Sequence, residues 1–173
     1  DNDGKIYAGL AMLQDITIRK SQEIELTNSE AKYRELFENA NDLVYVHDLE
    51  GNYSSINKAA EKVFGYTSEE AMNLNVSQII SPEHLEFVKE KIKQKLLNGS
   101  DKTTYEVDCI AKDGRKVLLE VNSRAIHKDG KIVGIQGIAR DISERKRTEI
   151  ELKLREEQYH DLFENANDII YTT

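Results

Sequence analysis

Residues 42–143 predict an α+β domain: a five-stranded antiparallel sheet with short helices on one face. Three observations carry this. Alternating apolar runs are separated by Asp113-Gly114 and Asp129-Gly130, the dipeptide signal of tight hairpins. An earlier pair of strand-like runs meets at a turn over residues 48–51. Between these two sets, capping residues open helical segments, so the chain reads as two strands, a helical middle and three strands.

Each element follows from local pattern. Residues 19–41 carry Ile24, Leu26, Tyr33, Leu36, Phe37 and Ala40 among charges, with Leu26, Tyr33 and Ala40 seven apart, a helical stripe with a weak heptad. That stripe either packs on its own domain or forms a dimer seam through Leu26, Tyr33 and Leu36. "LVYVHDLEGNYSSIN" is a hairpin. Asn57 is an N-cap for "KAAEKVFG", which Gly65 stops, and Thr67 or Ser68 caps "EEAMN". Ser81 caps a longer helix with Pro82 at its first position and Asn98-Gly99 at its end. "TTYEVDCIAK", "RKVLLEVNSRAIHK" and "KIVGIQGIARDI" complete the sheet.

The chain also repeats itself. Asp3 aligns with Asp129, and the register of 126 residues holds without a gap through Tyr45 and Tyr171, with about half of the positions identical. That period is too long for a solenoid, whose repeats run about 20–50 residues, so each period is one domain of a tandem array. The expected organisation is the last strand of an upstream domain at 1–16, a linker helix at 17–41, a complete domain at 42–143, a linker helix at 144–167 and the first strand of a downstream domain at 168–173. The chain is thus expected to be a piece of a longer protein.

Composition narrows the partners. Lys and Arg number 24 against 32 Asp and Glu, a net charge of −8, which suits neither phosphate backbones nor anionic membranes, so no nucleic acid and no membrane contact are expected. The single Cys109 cannot form an internal disulfide, and with no apolar run near the roughly 20 residues of a membrane span, a cytoplasmic location is expected.

"DLEGNYSSINKAAEKVFGYTSEEAM", "KDGRKVLLEV" and "GIARDISERK" together resemble the PAS family of sensory modules, over about residues 30–148. The resemblance implies a curved sheet wrapped over short helices around an internal pocket, usually in a dimer, with the helix after the last strand leading to an output domain. The light-sensing branch carries a reactive Cys where this chain has Val76 in "NVSQI", and a Gln where it has Ala139, which excludes flavin adduct chemistry. The oxygen-sensing branch places a haem-ligating His where this chain has Val88. His84 lies a turn earlier and reads as an exposed surface residue, so haem is not expected. No cofactor is predicted, and the pocket is left open to an unidentified small ligand.

No catalytic motif is present. His47, His84, His127 and His160 do not lie in a sensor-kinase phosphoacceptor segment, and neither a Gly-rich nucleotide box nor a cyclase signature occurs. Alternation sends Asp48 to the face opposite His47, which argues against a nucleophile–base pair, and Cys109 on an apolar strand reads as a small buried hydrophobe. Alternation also places Tyr105, Val107, Cys109 and Ala111 on one face, as it does Leu119, Val121 and Ser123. With positions that the resemblance adds, the candidate pocket is Tyr45, His47, Phe64, Val76, Ile80, Val88, Val107, Cys109, Leu119, Val121, Ser123, Ile135 and Ala139. Asp141, Ile142 and Arg145 are the candidate relay. The module is expected to be a homodimer working with adjacent PAS domains and a C-terminal output domain, a sensor histidine kinase or else a diguanylate cyclase. It either senses a ligand or is a ligand-free dimerisation module.

Overall fold

The computed structural model describes the backbone of residues 2–98 and 102–170 and the side chains of 18–96 and 102–163. It divides into two units, residues 1–40 and 41–173. The first holds one helix, α1 (Asn2–Glu38).

The second unit runs β1 (Leu43–His47), β2 (Tyr53–Ile56), α2 (Lys58–Phe64), α3 (Ser68–Ala71), α4 (Val76–Ile79), α5 (Pro82–Asn98), β3 (Lys102–Ile110), β4 (Lys116–Lys128), β5 (Lys131–Asp141) and α6 (Ser143–Ile170). The strands form one antiparallel sheet in the order β2-β1-β5-β4-β3. The first and last strands are neighbours at its centre, and the expected α+β class holds.

Local chemistry sets the corners. Asp129 and Gly130 both have positive φ, the conformation a two-residue hairpin turn requires. Asn57 caps α2 by accepting from the amide of Ala60 at 3.1 Å, and the same Oδ1 accepts from Val44 of β1 at 3.0 Å while Nδ2 donates to the carbonyl of Asp42. One fully buried side chain thus fixes a helix start to the central strand. Thr67 and Glu70 form a capping box on α3, as Asn75 and Gln78 do on α4.

Alternation divides the sheet. Leu43, Val107, Cys109, Val117, Leu119, Val121 and Ala139 are buried with Ala60, Ala71, Ile79 and Val88 of the helices and with Ile80 between α4 and α5. Burying each larger aliphatic side chain contributes about 1.5–3 kcal/mol. The other face carries Glu106, Glu120, Arg124 and Arg140.

Where strands of neighbouring domains were expected, this chain has helix. Residues 2–16 continue α1, and 168–170 end α6, while 171–173 lie outside the described residues. Both flanks of β1 and of β5 are already paired, so a further copy of either strand finds no free edge beside them. A helix satisfies its backbone hydrogen bonds within the segment, and a strand cannot.

Candidate functional site

Between the inner face of the sheet and the helices lies a cavity of about 60 Å³. Tyr45 and His47 reach it from β1, Val107 and Cys109 from β3, Leu119, Val121 and Ser123 from β4, and Ile135 from β5. Phe64 of α2, Val76 of α4, Ile80 just after α4 and Val88 of α5 close the helical side. Ala139 is the exception among the candidate residues. It is buried on β5 between Leu43 and Val121 in the register, but its short side chain packs in the sheet's own core and does not line the cavity.

Three tyrosines and one imidazole give the cavity its character. The Tyr45 ring stacks beside His47 with centroids 6.0 Å apart and planes 12° from parallel, and Tyr53 stands edge-on to both. Burial pushes the Tyr45 and Tyr53 hydroxyls well above the ordinary phenol value, and raises that of Tyr105 against a lowering hydrogen bond with Ser123. Burial pushes the Cys109 thiol up to about 12, with the Asp108 charge adding to it. These four groups are therefore neutral at pH 7, and Cys109 is not poised as a nucleophile.

His47 Nδ1 lies 2.6 Å from the carbonyl oxygen of Asp48. Its partner is the backbone of Asp48, not its carboxylate, so the two side chains do not form an acid–base pair. Burial first, and the charge of Lys95 as a lesser cause, lower the His47 pKa, against the smaller raising effect of Asp48.

Pattern reading missed Lys95. This buried α5 side chain donates to the carbonyl and the hydroxyl of Ser123 at 2.6 and 2.8 Å. The signal was available in the helical spacing, since Val88, Ile92 and Lys95 fall on one face. Tyr53 and Leu74 also line the cavity. His84, expected on the surface, is half-buried, because its Nδ1 accepts from the amide of Asp108 at 2.9 Å and ties α5 to β3.

The relay candidates meet at the end of β5. Asp141 Oδ1 accepts from the amide of Ser143, Ser143 Oγ accepts from the amide of Leu118, and the buried Ile142 donates its amide to the carbonyl of Leu118. Arg145 reaches Glu120 at 3.4 Å and Lys146 reaches Glu106 at 3.3 Å, so the first turn of α6 is held against the outer face of β4 and β3. A bidentate contact from Arg140 to Asp42 ties β5 to the start of β1 and holds the Asp42 carboxyl below the usual carboxylate range.

On α1, Leu26, Tyr33 and Leu36 are exposed, and Tyr33 stacks on Phe37 at 6.0 Å. Among the described residues no group of His, Cys, Asp and Glu is arranged to hold a metal ion, and no helix is long and apolar enough to cross a membrane.

Comparison with known proteins agrees with this architecture. Residues 31–142 match the PAS fold family. The chain is 33% identical over 146 residues to the methyl sulfide methyltransferase-associated sensor of Methanosarcina acetivorans, covering 83% of this chain and 14% of that protein. It is 28% identical over 169 residues to sporulation kinase E of Bacillus subtilis, covering 92% of this chain and 21% of the kinase. The chain therefore spans a small part of the curated relatives it matches. Among solved structures, a PAS domain from Colwellia psychrerythraea superposes with a TM-score of 0.61 at 28% identity, covering 69% of this chain and 98% of that one.

Proposed function

The chain belongs to the PAS fold family, and on that premise we propose that it is a signal-input module in which occupancy of the cavity is passed through β5 to the outgoing helix α6. The observation that carries this reading is a continuity of structure. Tyr45, which lines the cavity, lies directly across β5 at Gly137, and β5 ends four residues later at the hydrogen-bonded junction of Asp141, Ile142 and Ser143. Anything that moves the Tyr45 ring presses on the strand that leads into α6, and a helix held at its first turn by two exposed ion pairs has weak restraints to lose. The relatives named as a sensor and a kinase support an output in the parent protein that is a histidine kinase, with a diguanylate cyclase as the other candidate.

The cavity suits neither of the large cofactors weighed from the sequence. Val76 and Val88 both line it and offer neither the thiol nor the imidazole that those cofactors would call on. The occupant in this reading is a small ligand. Spectra of the uniformly ¹⁵N-labelled chain under xenon pressure test this: amide shifts confined to β1, β3 and β4 around Tyr45, Val107 and Leu119 support an accessible cavity, and unchanged spectra refute it.

A second reading, a ligand-free dimerisation module, is favoured by the exposed Leu26, Tyr33 and Leu36 of α1. Sedimentation of the intact chain and of Leu26→Glu with Leu36→Glu separates the readings, because only a helical seam loses assembly on gaining two charges.

A further inference from the structure

The sheet ends at β3, and the outer edge of that strand is only partly covered. Backbone groups alternate along an antiparallel edge strand between facing the neighbour and facing away. Asp108 fixes the phase: its amide donates to His84 Nδ1 at 2.9 Å and its carbonyl accepts from the amide of Ser81 at 2.9 Å, both outside the sheet. Lys102, Thr104 and Glu106 lie at even steps from Asp108, so their amides and carbonyls also turn away from β4. Among the described residues no partner meets these groups at Thr104 and Glu106. Helix α5 accounts for the difference. It starts beside Asp108, and its far end turns in toward β4, where Lys95 donates to Ser123, the register partner of Thr103. The edge is therefore closed at Asp108 and open over residues 102–106.

A row of open backbone groups is a template for another strand. The side chains on this edge say which one. Lys102, Thr104 and Glu106 are all exposed on the outer face, so an antiparallel copy of β3 centred on Thr104 sets Lys102 against Glu106 twice and Thr104 against itself. Centring the copy on Lys102 or on Glu106 instead sets like charges face to face. Lys102 makes no ion pair among the described residues. Glu106 already meets Lys146 at 3.3 Å, and a carboxylate accepts at both oxygens, so it can take a second ammonium. Phe87 of α5, 42% exposed, stands edge-on to Tyr105 and adds an apolar flank for a partner strand to cover.

We propose that β3 is an interaction surface for a second copy of this chain, which adds its own β3 antiparallel about Thr104 and joins two five-stranded sheets edge to edge. Each outward-facing residue then exchanges backbone hydrogen bonds with its opposite number. So short a pairing buries less than a standard interface, so the dimer is weak, with a Kd on the order of 0.1 mM. This surface is separate from the exposed stripe of α1.

Sedimentation equilibrium up to about 1 mM chain tests the proposal, in the Leu26→Glu, Leu36→Glu background so that no helical seam contributes. Lys102→Glu and Glu106→Lys are each expected to weaken association about three- to tenfold, and an equimolar mixture of the two to recover it, because an acidic edge then faces a basic one. Thr104→Pro removes the central outward amide without removing a hydrogen bond to β4, and is expected to abolish association. The charge reversals leave the backbone intact, so the test stands if the proline variant does not fold. Reversed chains that stay apart when mixed, or association that survives both reversals, would overturn the proposal. A monomer in the doubly substituted background would overturn it as well: if the unaltered chain associates, α1 holds it and the second reading stands, and if that chain is also a monomer, both fail.

Discussion

Gly137→Ala is the substitution with the most to say about how β1, β5 and the cavity fit together. Gly137 faces Tyr45 in the β1–β5 register, and a Cβ built on it would collide with the Cζ, hydroxyl and Cε1 atoms of the Tyr45 ring. These are ring atoms and not the tip of a flexible chain, so the whole ring must turn. Overpacking of this kind costs about 1–3 kcal/mol. Here a cavity of about 60 Å³ adjoins the ring and can take up part of its movement, which places the cost in the lower half of that range, about 1–2 kcal/mol. With a urea m-value of about 1–3 kcal/mol/M, the midpoint should fall by about 0.5–1 M, and the cavity should lose its room for xenon. Combining Gly137→Ala with Tyr45→Leu should cost about 1 kcal/mol less than the sum of the single changes, because the clash is then gone. A Gly137→Ala protein with an unchanged midpoint and unmoved Tyr45 ring resonances would refute the reasoning.

Three further outcomes follow from the same contacts. Asn57→Ala removes a helix cap and leaves the buried amide of Val44 without its acceptor, so it should destabilise by about 2–4 kcal/mol in urea titration; a loss below about 1 kcal/mol would show that water replaces it. Cys109, buried with its pKa pushed up to about 12, should resist a disulfide reagent at pH 8 until the protein unfolds, and labelling at the unfolded rate would contradict this. His47 has a folded pKa below its ordinary 6.5, so the unfolded chain binds more protons as pH falls through 6.5 toward the folded value. Stability from this group is present at pH 7, declines across that window and levels below it. His47→Phe should have a shallower loss between pH 7 and 5.5 than the unaltered chain, and parallel curves would exclude His47 as the source.

The sheet was legible because its signals are local. Asp129-Gly130 can adopt the two positive φ values a tight hairpin needs, and the alternation in "YEVDC" and "LLEVNS" assigns faces without reference to anything distant. Asn57, Gly65 and Thr67 were equally plain, since a cap acts on amides within its own turn. Helix α4 was not recognised, although Asn75 and Gln78 stand in capping-box spacing, because a single turn leaves no room for periodicity. The ends misled for a different reason. "IYAGLAMLQDI" repeats the pattern of β5, but a strand depends on a neighbour, and in this chain the places beside β1 and β5 are taken. Most of the cavity wall followed from alternation and resemblance. Lys95 did not, because a charged residue is read as solvated until the Ser123 carbonyl that receives it is known. Ala139 has the right face and too little reach.

The coupling of the cavity to α6 is tested most directly by hydrogen exchange over residues 142–158 in Val121→Leu, which enlarges a cavity-lining residue opposite Ala139 of β5, beside Val133→Leu, an equal enlargement on the exposed part of β5. Filling the cavity should change protection at the start of α6 at least about twofold while the exposed enlargement leaves it unaltered, a difference that common energetic coupling of about 0.5–2 kcal/mol makes measurable. Identical exchange in both variants and in the unaltered chain, with the core folded in each, would contradict the proposal that β5 carries the state of the cavity to the outgoing helix.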